Sequence, residues 1–303
     1  MKLRVQNFAP ALQMAAALLC LCYSTASQTP EEYFKAANLK VAETEKLEWN
    51  SDKWKAKFRS ALMDMNEAIK LDPKKAAFYA KRADIYEYLG DLDLALKDAS
   101  IAISLAPDIP DYYALRGSLR YQIEAIETAD EREKLDDPNE AAKLVADHRS
   151  ALEDHNKAIS LAPKDPRWYL ERADFYNSIE KTEAALADLN QALDLDGRNM
   201  PALRERGFLR WKNGQYKEAV DDYTRLIELD PNMTSSYLAR AEAYEAMKLY
   251  QKAIDDTTAA LKTRPNSPGI LEVRAERYRI AGRLALARKD ELAAKRLRRS
   301  GQK

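Results

Sequence analysis

Small apolar residues recur along this chain with a helical spacing and a longer period laid over it. Ala61 and Ala68, Ala95 and Ala102, Ala151 and Ala158, Ala185 and Ala192, Ala253 and Ala260, and Ala287 and Ala294 each stand seven residues apart, and Leu226 follows Ala219 at the same distance. Residues seven apart share a helix face, and small ones let a neighbouring helix come close. Six of these segments end alike: AIKLDP at Pro73, AISLAP at Pro107 and again at Pro163, ALDLDG at Gly197, LIELDP at Pro231 and ALKTRP at Pro265. Neighbouring endings are 34 residues apart, except Pro107 and Pro163, which are 56 apart.

With the closing proline counted as position 32, position 8 is small throughout: Ala83, Gly117, Ala173, Gly207, Ala241 and Ala275. Four residues earlier stand Tyr79, Tyr113, Tyr169, Leu203, Tyr237 and Leu271, and three later Tyr86, Tyr176, Tyr244 and Tyr278. Large and small residues at these spacings line one face of a helix, so each period predicts a first helix interlocking with a second.

This pattern of an aromatic, a small residue, a Tyr, an Ala and a closing Pro on a 34-residue period resembles the tetratricopeptide repeat. The resemblance implies an all-α fold, a right-handed superhelical solenoid of about seven helix pairs. The units fall at about 30–73, 74–107, 108–163, 164–197, 198–231, 232–265 and 266–299, the last a cap without the closing Pro, inside a solenoid spanning 27–299 with a tail at 300–303.

Position 7 is Arg at Arg82, Arg116, Arg172, Arg206, Arg240 and Arg274, and position 23 is Asp at Asp64, Asp98, Asp154, Asp188, Asp222, Asp256 and Asp290. A regular Arg and a regular Asp in each unit read as a structural ladder between helices rather than as a binding strip. Taken as exposed pairs, they contribute about 0.2 to 1 kcal/mol each.

The 22 additional residues of the third unit fall on both sides of DDPNE, where Asp137 can cap a helix and Pro138 can open it. About eleven residues are then added to each helix. That is close to three whole turns, so the apolar stripes keep their facing. Leu115, Leu119, Ile123 and Ile126 line the first helix, and Ala141, Leu144, Val145, His148, Leu152 and His155 the second, which is expected to run from Pro138 to Leu161. The arm at 121–150 carries 9 acidic and 4 basic residues.

Composition changes the picture at the two ends. Residues 1–26 carry Lys2 and Arg4, an apolar stretch from Met14 to Tyr23 and then small residues, the layout of a signal peptide with Ser24 and Ala26 before the cut. The apolar stretch is about half the ~20 residues of a membrane-spanning helix, which favours cleavage over an anchor. Lipid attachment fits less well, because Cys20 and Cys22 each follow Leu. Both cysteines lie in this segment, so the exported chain would hold no disulfide, and its location is expected to be periplasmic or secreted. Cleavage leaves 47 Lys and Arg against 49 Asp and Glu, a balance that gives no general attraction to nucleic acid. Residues 268–303, in contrast, hold 11 basic and 4 acidic side chains and end in KRLRRSGQK. That run can meet an anionic membrane surface, but it also suits the C-terminal end of a helix dipole.

Chemistry is sparse. The two histidines, His148 and His155, are seven apart on one predicted face, about 10 Å from each other and too far for one zinc with ligands near 2 Å. No phosphate loop, nucleophile elbow, paired-cysteine site or cofactor motif occurs. The sequence argues for a non-catalytic protein without cofactor or metal, although carboxylates brought together by the fold would leave no local signature.

The resemblance implies a scaffold that binds a protein or peptide partner on the face built from the first helices. Positions 9 and 12 there are Asp84, Ser118, Asp174, Phe208, Glu242 and Glu276, and Glu87, Tyr121, Asn177, Trp211, Glu245 and Arg279. The family's Lys, Asn and Arg clamp for a terminal carboxylate is absent from these positions. The groove is expected to be acidic at both ends with an aromatic centre at Tyr121, Phe208 and Trp211, beside Arg204. The alternative is a solenoid that takes a small ligand or glycan in that groove, or an enzyme with a non-local carboxylate site.

Overall fold

The computed structural model describes residues 28–133 and 148–300. Residues 1–26, whose layout reads as a signal peptide, lie outside them. Among the described residues there are fourteen α-helices, one 3-10 turn and no strand. The chain forms two compact units divided between residues 134 and 135.

The first unit contains α1 (Pro30–Glu43), α2 (Asp52–Leu71), α3 (Ala76–Leu89), α4 (Leu92–Leu105) and α5 (Pro110–Glu133). The second contains α6 (Arg149–Leu161), α7 (Pro166–Ser178), α8 (Thr182–Leu195), α9 (Met200–Lys212), α10 (Tyr216–Leu229), α11 (Thr234–Ala246), α12 (Tyr250–Thr263), α13 (Pro268–Ile280) and α14 (Leu284–Ser300). Within each unit every helix packs on the next, and α9 also touches α11.

Local chemistry sets the helix ends. Thr29 and Glu32 form a reciprocal capping box at α1, and the side chains of Ser51, Asp165, Asn199 and Ser267 accept backbone N–H groups at the starts of α2, α7, α9 and α13. Proline disfavours helical backbone at the residue before it, and Asp72, Ala106, Ala162, Asp230 and Arg264, each preceding a closing proline, have left the helix with ψ between 69° and 94°. The position-4 tyrosines use the same turn: the hydroxyls of Tyr79 and Tyr169 donate to the carbonyl oxygens of Pro73 and Pro163, both at 3.1 Å.

The alanines of positions 20 and 27 are buried in every unit, and so is the position-8 row. Their small side chains bring helices into contact, and the large residues between them fill the space. In the second unit Leu189, Leu193, Leu203, Leu209, Tyr223 and Leu226 join one core across α8 to α10. In the first, Trp54, Phe58, Met65, Phe78 and Ile85 do the same across α2 and α3.

The turn inside each pair demands a left-handed residue. Gly90, Gly214 and Gly282 supply it with φ of 85°, 77° and 74°, whereas Glu180 and Lys248 adopt φ of 58° and 61° at the equivalent place. A side chain costs about 1–2 kcal/mol in that region. Glu180→Gly is therefore expected to stabilise the fold by about 0.5–1 kcal/mol, after allowing for glycine's greater freedom when unfolded, as a higher midpoint in urea.

The Arg and Asp rows meet in bidentate pairs. Arg82 Nε and Nη2 donate to Asp98 Oδ2 and Oδ1 at 2.6 and 2.9 Å. The same fork joins Arg172 to Asp188, Arg206 to Asp222, Arg240 to Asp256 and Arg274 to Asp290, at 2.5 to 3.0 Å. In each case Nη1 donates to position 25 of the preceding period, at Asn66, Asn156, Asn190, Thr224 or Thr258. One guanidinium thus ties a first helix to the second helices on both sides of it. The tyrosine rows flank it: Arg82 lies 5.6 and 5.8 Å from the Tyr79 and Tyr86 ring centres, and Arg172 lies 6.0 and 5.7 Å from Tyr169 and Tyr176. In the first unit Lys40 approaches Asp64 at 2.6 Å. The aspartates from Asp98 onward, Asp154 included, are buried, which corrects the reading of these residues as exposed pairs. Arg116 stacks on Tyr113 at 5.6 Å.

In the 108–163 unit the first helix is long, because α5 continues for 24 residues to Glu133. The second helix differs from the sequence reading. His148 lies in a turn at φ −82°, ψ 21°, so a continuous helix from Pro138 to Leu161 is broken there and α6 begins at Arg149. Residues 134–147, with Ala141, Leu144 and Val145, lie outside the described residues.

Candidate binding groove

In the second unit positions 9 and 12 fall on the first helices α7, α9, α11 and α13, and residues of α10 line the space between α9 and α11. Phe208 and Trp211 stack on α9 with ring centres 6.2 Å apart and planes at 24°. Phe208 is 43% exposed, whereas Trp211 is half-buried with its Nε1 buried and unpaired. Arg204 lies on the same helix, 3.4 Å from Glu205, an exposed and weak pair.

A cavity of about 390 Å³ opens between α9 and α11, lined by Arg204, Glu205, Phe208, Tyr223, Leu226, Ser235, Ser236 and Ala239. It lies beside position 3 of its repeat, which holds Ser236 here and Phe78, Tyr112, Trp168, Ala202 and Ile270 in the other units, all buried except the half-buried Tyr112. Ser236 is 3% exposed and its hydroxyl meets no protein partner. Position 8 of α9 is Gly207, and a Cβ there would stand 2.8 Å from the Tyr223 ring, so the glycine lets this ring lie under the groove. A second hollow of about 430 Å³ adjoins Trp211, Glu242, Glu245, Ala246, Lys248, Tyr250 and Ile280.

The carboxylates of this face differ in their pairing. Glu245 accepts from Arg277 Nε at 2.9 Å, and the buried Arg277 also donates to Thr257 at 2.7 Å. Asp174 keeps part of its surface in solvent, yet lost hydration, with the like charges of Glu205 and Glu171, pushes it up to about 6. Burial, and then Glu245, raises Glu242 as well, against the pull of Arg277. The Tyr223 hydroxyl is pushed up by burial, with Glu242, Asp222 and Glu205 adding to it. Asn177 is half-buried on α7.

Asp84, Glu87 and Tyr121 belong to the first unit. Glu87 accepts from Gln122 at 2.5 Å, and burial lifts Asp84 to about 6 despite Lys81 at 3.6 Å. Tyr121 is half-buried on α5. The sequence reading missed the lining by Glu205, Tyr223, Ser235, Ser236 and Ala239; a Ser at an otherwise apolar position 3 is the signal that could have found it.

The two histidines lie against one aromatic ring. Both face Phe175, His148 edge-on at 6.2 Å and His155 tilted at 5.2 Å, and His155 is fully rather than partly buried. Among the described residues no cluster of three His, Cys, Asp or Glu could hold an ion, and no helix is long and apolar enough to cross a membrane. In the basic terminal helix, Arg298 pairs with Glu272 at 2.7 Å, while Lys295, Arg296 and Arg299 remain exposed.

Successive helix pairs with small residues at their crossings define a helical repeat protein. Family models described as tetratricopeptide repeat match residues 76–109, 167–199 and 205–269. The chain is 32% identical over 99 residues, a third of its length, to the Hsp70-Hsp90 organizing protein of Triticum aestivum. It is 26% identical over 170 residues, 56% of its length, to the small glutamine-rich tetratricopeptide repeat-containing protein 2 of Mycosarcoma maydis. The chain spans only 16% and 48% of these relatives. Its fold is that of the C-terminal part of a TPR repeat-containing protein from Cytophaga hutchinsonii, at TM-score 0.61 and 16% identity over 86% of this chain and 95% of that one. It is also that of PilW, described as a type IV pilus biogenesis factor, at TM-score 0.55 and 18% identity over 78% and 97%. Proteins built of such repeats generally serve as scaffolds for protein interaction.

Proposed function

We propose that this protein is a non-catalytic scaffold of the cell envelope that holds a segment of a protein partner across α7, α9 and α11. The carrying observation is the exposed Phe208 stacked on Trp211 at the rim of a cavity between two repeats. Exposed aromatics beside a pocket are the groups that dominate binding energy at interfaces. The signal-like layout of residues 1–26 supports action outside the cytoplasm.

The test is affinity capture from the envelope fraction of the source cells with the chain from residue 27 onward, compared with its Phe208→Ala/Trp211→Ala variant. A partner that is retained by the former and lost by the latter, with helicity unchanged, is the expected result. Equal retention by both removes the groove from the account.

A further inference from the structure

The cavity between α9 and α11 lies at a repeat position that carries the large buried side chains Phe78, Trp168 and Ile270 in three other units and the small Ala202 and Ser236 in two. A volume of about 390 Å³ takes one aromatic side chain with room at its mouth. The walls at Phe208, Leu226, Ala239 and the Tyr223 ring are apolar. One buried hydroxyl, that of Ser236, lacks a partner. An unsatisfied buried hydroxyl weakens the free state, and a ligand group that hydrogen-bonds it is favoured over one that cannot. Among aromatic side chains, tyrosine brings such a group.

The flanks add a charge requirement. Asp174 on α7 and Glu242 on α11 occupy the same repeat position on either side of Phe208, and neither holds an ion pair among the described residues. Arg204 at the mouth pairs weakly with Glu205 and also acts electrostatically on Asp174. An extended chain advances about 3.3 Å per residue, so a residue three positions from another stands about 10 Å along the groove.

We propose that the groove accepts an extended segment whose tyrosine enters the cavity and meets Ser236, with a basic residue about three positions away on each side meeting Asp174 and Glu242. This assignment rests on the reading of the groove as the partner site and adds the chemistry of the partner.

Fluorescence anisotropy with labelled Lys-Gly-Ser-Tyr-Gly-Ser-Lys, and with versions carrying Phe or Ala for Tyr or Glu for both Lys, tests it. The expected order is Tyr tighter than Phe by about fivefold, Ala weaker than Tyr by at least tenfold, and no measurable binding of the Glu version. Ser236→Ala should bring Tyr and Phe peptides to equal affinity. Ser236→Ile, which refills the cavity from within, should abolish binding while circular dichroism and thermal midpoint are kept. Binding of the Glu version as tight as that of the Lys version, or unchanged binding to Ser236→Ile, overturns the proposal. If the Lys and Tyr peptide fails while the Phe208 and Trp211 variant still loses the captured partner, the assigned chemistry is wrong and the groove reading stands; if neither peptide nor partner depends on these residues, both fall.

Discussion

Asp222→Ala is expected to lower the stability of the second unit by about 3–5 kcal/mol. Asp222 is 1% exposed and accepts from Arg206 Nε at 3.0 Å, Arg206 Nη2 at 2.5 Å and Arg210 Nη1 at 2.6 Å. Removing the carboxylate leaves two guanidinium groups near its site with no acceptor between them. Arg206→Ala should cost less, because Asp222 keeps Arg210. A double-mutant cycle in urea separates the Arg206 and Asp222 coupling from the cost of either truncation. Coupling below about 0.5 kcal/mol would show that the pair contributes no more than an exposed one.

The second large effect depends on pH. His155 is 2% exposed, and burial is the first cause that lowers its imidazole from 6.5 to about 4; Arg172 lowers it further and Asp154 opposes. The folded protein thus holds His155 neutral while the unfolded chain takes up a proton below about 6.5. Stability is retained above that pH and is lost progressively as pH falls towards 4, by about 3 kcal/mol in all. Asp84 and Asp174, raised to about 6, work in the opposite sense, losing their contribution as pH rises from about 4 to 6. His155→Leu leaves those carboxylates in place. The difference in unfolding free energy between this variant and the parent should therefore move by about 3 kcal/mol in the variant's favour between pH 7 and pH 4. A flat difference would mean that the imidazole is protonated in the folded state.

Much of this architecture is legible in the chain because a repeat states the same packing requirement several times. The position-20 alanines and the closing prolines recur at the 34-residue interval that helix crossings and helix ends impose. The Arg and Asp rows are visible in the same way. Their burial is not, because a charged residue read singly belongs to the surface, and only the fold shows Tyr79 and Tyr86 beside Arg82 with Asn66 completing its fork. The groove was half legible. Phe208 and Trp211 stand out as large residues at outward positions, whereas the cavity lies beside Ser236, a small residue that does not stand out. The turn at His148 was hidden because an unbroken apolar stripe continues through it.

Photo-crosslinking from single positions tests the central claim most directly. A benzoylphenylalanine at position 208, on the groove side of α9, is predicted to form an adduct with the partner, and one at the exposed position 221 of α10 is predicted to form none. Adducts from position 221 alone, or equal adducts from both, would contradict the assignment of partner binding to this groove.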